Sequence, residues 1–345
     1  MDAQPEKLKP ILAILQEGRP LTGAEATAAF EIILSGDATP SQIGAFIGML
    51  RVRGETVDEI AAGVNVMRAN ALKVKVPTHV LDTCGTGGDG SGSYNISTAV
   101  ALVAAACGAY VAKHGTLAQT SKSGSSDVLE ALGVKLSLSP DALEHCINDV
   151  GIGFLFAPNH HSAMRHVAPI RKELAFRSIF NLLGPLSNPA GANRQLLGVF
   201  GKEWVKPLAH VLKKLGSERA WVVHGSDGMD ELTTTGPSTV AELRKGEVSA
   251  FEVTPEDAGL ERAKPEDLVG GTPEENAAAM TALLDGAEGA YRDIVLLNTA
   301  AALIVCNKAE SLKEGAEMAA LAIDDGGAKA VLANLIATTQ KLADQ

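Results

Sequence analysis

The run Asp82-Thr83-Cys84-Gly85-Thr86-Gly87-Gly88-Asp89-Gly90-Ser91-Gly92-Ser93-Tyr94-Asn95-Ile96-Ser97-Thr98 constrains the fold more than any other part of the chain. Five of the eight residues from Gly85 to Gly92 are glycine, and the run separates the apolar pair Val80-Leu81 from the apolar stretch Ile96 to Cys107. The order predicts a strand, a tight turn and a helix that is apolar nearly all round and therefore buried. Backbone N–H groups in such a turn can close on a ligand. The helix start adds unpaired N–H groups and a partial positive charge, a combination that suits phosphate. Asn95, Ser97 and Thr98 put three hydrogen-bonding side chains at the head of this helix, which is costly to bury without polar partners.

The surrounding texture is that of an α/β protein. From Pro77 onward short apolar runs (Tyr110 to Ala112, Ile152 to Phe156, Leu196–Phe200, Trp221–Val223) alternate with helical patterns (Asp127 to Leu132, Pro140 to Val150, Pro273–Leu284, Ala328–Leu342). Such alternation predicts a mainly parallel sheet with crossover helices. The first seventy residues read differently. Thr22 with Glu25, Thr39 with Gln42 and Thr56 with Glu59 each form the capping-box signature of a helix start. Ile43, Phe46, Ile47 and Leu50 then share a face, as do Ile60, Val64 and Met67. These helices predict a small bundle, and leftover apolar surface on it would be a dimer face. The stretch His161 to Phe180 also reads as helical and can rejoin that bundle.

Composition removes several classes of function. A net charge of -11 argues against nucleic acid, whose phosphates are held by clustered cations. No apolar run reaches the length of a membrane span, and Met1 to Lys9 carries no secretion signal, so a cytoplasmic chain is expected. Cys84, Cys107, Cys146 and Cys306 lie far apart, in neither a disulfide nor a zinc pattern, and read as reduced thiols.

Gly85, Gly87 and Gly90 also satisfy the dinucleotide pattern G-x-G-x-x-G. That motif expects an acid at the end of the second strand, and here Lys113-His114-Gly115 stands there, which suits a phosphate better than a ribose. The lysine-bearing Walker loop is absent. A second polar loop, Thr120-Ser121-Lys122-Ser123-Gly124-Ser125-Ser126-Asp127, leads into a helix with hydroxyls and a lysine that can meet phosphate oxygens. After the Trp221–Val223 strand, Asp227-Gly228-Met229-Asp230-Glu231-Leu232 brings carboxylates to a turn, where they can approach one hard cation alongside substrate phosphates.

These motifs, with Ser121-Lys122-Ser123-Gly124 and Asn181-Leu182-Leu183-Gly184-Pro185-Leu186-Ser187-Asn188-Pro189, resemble in order those of the anthranilate phosphoribosyltransferase family, whose fold is shared with pyrimidine nucleoside phosphorylases. The resemblance runs from the N-terminal helices to the C-terminus. It implies an α/β fold with a small N-terminal helical domain plus a larger α/β domain with a mainly parallel central sheet. Residues 1–73 and about 160–187 form the helical domain and candidate dimer interface. Residues about 76–159 and 188–345 bind phosphoribosyl pyrophosphate. The activity implied is pentosyl transfer: the phosphoribosyl group passes to the amine of anthranilate with release of pyrophosphate, a step of tryptophan biosynthesis, in a homodimer using magnesium, as two ions.

By the same resemblance, Gly85, Gly87, Gly88, Asp89, Asn95, Ser97, Thr98, Lys113 and Ser125 surround the phosphoribosyl pyrophosphate. Gly85, His114, Thr116, His161 and Arg171 meet anthranilate, with Arg171, in Val167-Ala168-Pro169-Ile170-Arg171-Lys172-Glu173, reaching its carboxylate. Ser97, Asp230 and Glu231 hold the metal, partly through water. No residue is assigned as a general acid or base, because the aromatic amine is already an uncharged nucleophile. The chain departs from the family on the acceptor side. Thr116 and Leu117 stand where the family has asparagine and arginine, Ser162 where it has proline and Ala175 where it has glycine. The alternatives are therefore ribosyl or phosphoribosyl transfer to another acceptor, or a catalytically silent binding relative.

Overall fold

The computed structural model describes residues 6–77, 79–117 and 122–343. Seven strands form one sheet: β1 (Leu81–Gly85), β2 (Val111–Gly115), β3 (Ile152–Phe156), β4 (Arg194–Gly198), β5 (Arg219–Gly225), β6 (Ser238–Arg244) and β7 (Glu247–Val253). Their spatial order is β3-β2-β1-β4-β5-β6-β7. The first five are parallel, and β6 and β7 add an antiparallel hairpin at one edge. The sheet is thus mainly parallel, as expected. The hairpin turn is Lys245-Gly246, with φ of 51° and 77°. Two residues in the left-handed region match the right-handed twist of the flanking strands.

Alternate residues of the central strands feed two apolar clusters, one on each face, as the period of two requires. On one face Leu196, Trp221, Val223 and Val240 pack with the helix Ile96–Ala106 and the helices Ala290–Val305 and Gly327–Ala343. Ile96 and every residue from Thr98 to Ala105 are buried, as the apolar pattern predicts. On the other face Leu197, Val222, Ala241 and Leu243 share a cluster with the helix Val205–Lys214 and the N-terminal helices.

The N-terminal helices begin where the caps predict. Gly23–Ser35, Pro40–Arg53 and Val57–Asn70 carry complete capping boxes at Thr22, Thr39 and Thr56. Glu59 does more than cap. Fully buried, it accepts from the N–H of Leu21 at 2.8 Å and of Thr56 at 2.9 Å, and it pairs with Arg53, so one carboxylate ties three segments together. The stretch expected as one helical unit from His161 to Phe180 is three pieces, a 3-10 turn Ser162–His166 and the helices Ala168–Leu174 and Ile179–Leu186. Ala175 ends the middle one in the left-handed region, at φ 50°, a conformation that favours glycine. The expected helix Pro140 to Val150 is α-helical to His145 and widens into a π turn from Cys146 to Val150. Among the described residues no helix is long and apolar enough to cross a membrane, and all four cysteines are free.

Candidate active site

The parallel strands run outward in both directions from the neighbours β1 and β4, which places a topological switch point between them. Ligands of open α/β sheets bind in the crevice at the carboxyl ends of strands at such a point. The glycine loop leaves β1 there. Gly87, Gly88, Gly90 and Gly92 have φ of 63°, 72°, 79° and 61°, which residues with a Cβ seldom adopt. On the β4 side the loop is pinned by Thr86 N–H to Gly198 O at 3.0 Å and by Phe200 N–H to Thr86 Oγ1 at 2.9 Å. On the far side Gly270 N–H donates to Gly92 O at 2.8 Å and Tyr94 N–H to Leu268 O at 3.2 Å, while the Tyr94 ring stacks on Tyr291 at 4.3 Å.

The turn after β5 delivers the expected carboxylates. Asp230 Oδ2 accepts the Gly87 N–H at 2.7 Å, and Asp230 N–H donates to Asp89 Oδ2 at 3.3 Å. Glu231 lies close to the Ser97 backbone at the head of the helix Ile96–Ala106. Asp227, in the same turn, accepts from Thr233 Oγ1 at 2.6 Å and Thr235 Oγ1 at 2.8 Å, so it braces the turn. Both site residues keep some exposed surface, yet loss of water is the main cause that pushes Asp230 up to about 7, with the Asp89 charge adding to it. Burial and the Asp230 charge push Glu231 well above the usual carboxylate range. Two glycines make room for this turn, Gly85, which the sequence already placed in the site, and Gly198, which it did not. A Cβ on Gly85 would stand 2.3 Å from Asp230 Oδ2, and one on Gly198 would stand 1.5 Å from the Asp230 carbonyl oxygen.

Three carboxylates crowding one another, with the single Lys113 charge nearby to offset them, are a poor arrangement by themselves and a good one for a cation. Among the described residues no group of three or more His, Cys, Asp or Glu could hold a metal unaided. Hard oxygen donors from one or two carboxylates, completed by phosphates and water, are the set magnesium takes. The residues present fit that ion.

At the end of β2 Lys113 is buried at 2% exposure, where it donates to the Thr83 carbonyl and, at 3.2 Å, to Ser97 Oγ. Burial lowers its pKa, and the nearby Asp82 charge counteracts this. Asp82, fully buried, accepts the His114 N–H at 3.0 Å and Asn188 Nδ2 at 2.8 Å, while Asn188 Nδ2 also reaches Ala112 O at 2.8 Å. The Asn181–Pro189 motif therefore clamps the floor of the site. Asn95, Ser97 and Thr98 sit at the head of the helix as expected, and Thr98 Oγ1 is buried with no partner among the described residues. Ser125 begins its own helix beside Gly115, where a Cβ would stand 2.5 Å from Ser125 Oγ. Thr120 and Ser121 lie outside the described residues.

His114 and His161 face each other edge-on with ring centroids 5.2 Å apart, and both Nε2 atoms are buried without partners among the described residues. Arg171 is partly buried, 5.9 Å from the Phe180 ring centroid, and makes no ion pair among the described residues. It lies on the helix Ala168–Leu174. Thr116 is exposed just past β2, with Leu117 44% exposed beside it, and Ser162 is exposed at the start of its 3-10 turn. The structure thus links Gly87, Asp89 and Asp230 and, separately, Ser97 and Lys113 by hydrogen bonds, brings Gly85 and Glu231 close to them, and sets the two histidines together beside Lys113.

Residues 77–329 match the glycosyl transferase family a/b domain, and residues 9–71 match the helical bundle domain of the same family. The anthranilate phosphoribosyltransferase of Parvibaculum lavamentivorans is 64% identical over 331 residues, covering 96% of this chain and 97% of that one. The crystal structure of anthranilate phosphoribosyltransferase from Thermus thermophilus superposes with a TM-score of 0.91 at 44% identity, covering 95% of this chain and 99% of that one. The enzyme from Saccharomyces cerevisiae in complex with PRPP and Mg gives a TM-score of 0.90 at 29% identity, covering 98% and 99%.

Proposed function

The chain belongs to the anthranilate phosphoribosyltransferase family, and we propose on that premise that it transfers the phosphoribosyl group of phosphoribosyl pyrophosphate to the amine of anthranilate, the tryptophan-biosynthesis step. The observation that carries the reading is the contact of the glycine loop with the buried carboxylate turn at the switch point, made through Gly87 and Asp230. The loop offers N–H donors for pyrophosphate oxygens and the turn offers oxygen ligands for a cation.

In the reaction the amine nitrogen bonds to the anomeric carbon, the bond from that carbon to the pyrophosphate oxygen breaks with its electron pair, and the nitrogen sheds a proton. Loop N–H groups and Lys113 orient the leaving group and stabilise its charge, and positioning of this kind supplies most of the acceleration. Magnesium, held by Asp230, Glu231 and Ser97, neutralises pyrophosphate charge when bound. Two ions are proposed, since Asp89 adds a third carboxylate. His114 and His161 present neutral, buried ring faces to the acceptor, and the Arg171 guanidinium is the group for its carboxylate.

We also propose a cytoplasmic homodimer, formed through the helical domain of 1–73 and about 160–187. Val52, 91% exposed on the helix Pro40–Arg53, supports that face. Light scattering of the chain and of Val52→Lys tests it: a dimer that the substitution dissociates agrees, and a monomeric starting protein refutes it.

A further inference from the structure

We propose that Asn276 is a positioning residue for the phosphoribosyl donor: it decides which end of the Asn95 side-chain amide faces the donor's phosphates. The inference rests on the reading above, which takes Asn95 as a donor ligand. Asn276 lies far from the glycine loop in sequence, in the first turn of the helix Pro273–Leu284, and is buried at 2% exposure.

The two ends of an amide are alike in shape and opposite in hydrogen bonding, one accepting and one donating. The Gly271 N–H can only donate, and it gives to Asn276 Oδ1 at 2.7 Å. Asn276 must then turn its Nδ2 outward, where it donates to Asn95 Oδ1 at 2.8 Å. The Ser123 carbonyl can only accept, and it takes Asn95 Nδ2 at 3.3 Å, while Ser123 Oγ donates to Asn95 Oδ1 at 3.2 Å. Two backbone groups whose polarity cannot reverse therefore bracket two amides and fix both. Asn95 Nδ2 carries a second N–H at the head of the helix Ile96–Ala106, the end suited to an anionic oxygen. With the amide reversed, its carbonyl would stand there and repel phosphate.

The backbone holds the two amides in reach of each other. Val269 bridges Ser93, Gly270 N–H donates to Gly92 O at 2.8 Å, and a Cβ on Gly270 would stand 2.8 Å from the Ser93 carbonyl oxygen. The segment from Leu268 to Asn276 is thus seated against the end of the glycine loop.

The test compares Asn276→Asp with Asn276→Ala in the full chain, each also in an Asn95→Ala background, by steady-state kinetics and thermal unfolding. Aspartate is nearly isosteric but accepts where asparagine donates, so it draws Asn95 Nδ2 to itself and turns the carbonyl toward the phosphates. The donor KM should rise about tenfold with aspartate and about threefold with alanine, with the acceptor KM at saturating donor unchanged. In the Asn95→Ala background the alanine change should be silent, and the aspartate change should keep only the direct repulsion between its charge and the donor. A role in packing alone predicts the reverse order, alanine worse than aspartate, with effects that add to Asn95→Ala; that result overturns the inference. Should the aspartate variant fail to fold, the alanine change in the two backgrounds decides between silence and additivity. Normal donor KM in both variants of an otherwise active chain rejects Asn276 and leaves the proposed function standing. No turnover by the unaltered chain rejects both.

Discussion

The backbone N–H of Gly87 donates to Asp230 Oδ2 at 2.7 Å, joining the loop after β1 to the turn after β5 across 143 residues of sequence. That one bond aligns the phosphate-binding backbone with the carboxylates proposed to hold magnesium, so the two halves of the donor site form together.

Asp230→Asn keeps an acceptor for Gly87 but removes a ligand charge. Turnover should fall on the order of 10²-fold, the loss typical of removing one group that stabilises a developing charge. Magnesium should raise the melting temperature of the unaltered protein by mass action and should do so much less in the variant. Chelator should abolish turnover and added magnesium restore it. Full activity in excess chelator would remove the metal assignment.

Gly198→Ala tests the close approach at the end of β4. A Cβ there meets the Asp230 carbonyl oxygen at 1.5 Å, so the turn must move. Stability should drop by about 1–3 kcal/mol, the usual cost of overpacking, and turnover should fall with it because Asp230 is displaced. Denaturant titration and steady-state kinetics measure the two effects. An alanine variant with unchanged kcat would show that the carboxylate turn is not held by this contact.

Much of this was legible in the chain itself. The three capping boxes, the buried helix after Asn95, the strand Ile152–Phe156 and the Asp230-Glu231 turn all rest on local pattern, and local pattern survives folding when burial reinforces it. The β6–β7 hairpin escaped notice because β7 is a largely exposed edge strand whose polar residues leave little apolar alternation. Lys245-Gly246, a two-residue turn, was the available signal. Gly198 and Asn276 escaped for another reason. Their partners, Asp230 and Asn95, are distant in sequence, and a close approach between distant segments leaves no mark on either one.

Acid should destabilise the protein through His161. Burial, helped by the nearby His160, lowers its pKa from the usual 6.5 to about 4. Between these values the unfolded chain binds a proton that the native chain refuses, so stability present above pH 6.5 is lost as pH falls toward 4. The loss should reach about 2 kcal/mol at pH 5. Burial shifts His114 in the same direction and adds to the slope. Urea unfolding between pH 7.5 and pH 5 should show a shallower loss for His161→Asn than for the unaltered protein. Equal slopes would mean that His161 is protonated alike in both states.

The exposed pair Thr116 and Leu117 bears on the acceptor. Thr116→Asn with Leu117→Arg restores a two-way hydrogen-bonding amide and a cation just past Lys113-His114-Gly115. One neutral hydrogen bond gained is worth about 0.5–1.5 kcal/mol, so the anthranilate KM should fall roughly twofold to tenfold with the donor KM unchanged. Kinetics of the two proteins side by side measure it. Identical anthranilate KM values would show that these positions do not govern acceptor use.

The central claim is that the Gly87–Asp230 site takes phosphoribosyl pyrophosphate and passes its ribosyl carbon to anthranilate. The direct measurement mixes the protein with that donor, magnesium and anthranilate, and follows pyrophosphate release together with loss of anthranilate fluorescence. The account predicts that the two proceed one for one and that both stop when either substrate or the metal is withheld. Pyrophosphate released at the same rate without anthranilate, or anthranilate left unconsumed while the protein binds NAD tightly in calorimetry, would contradict it.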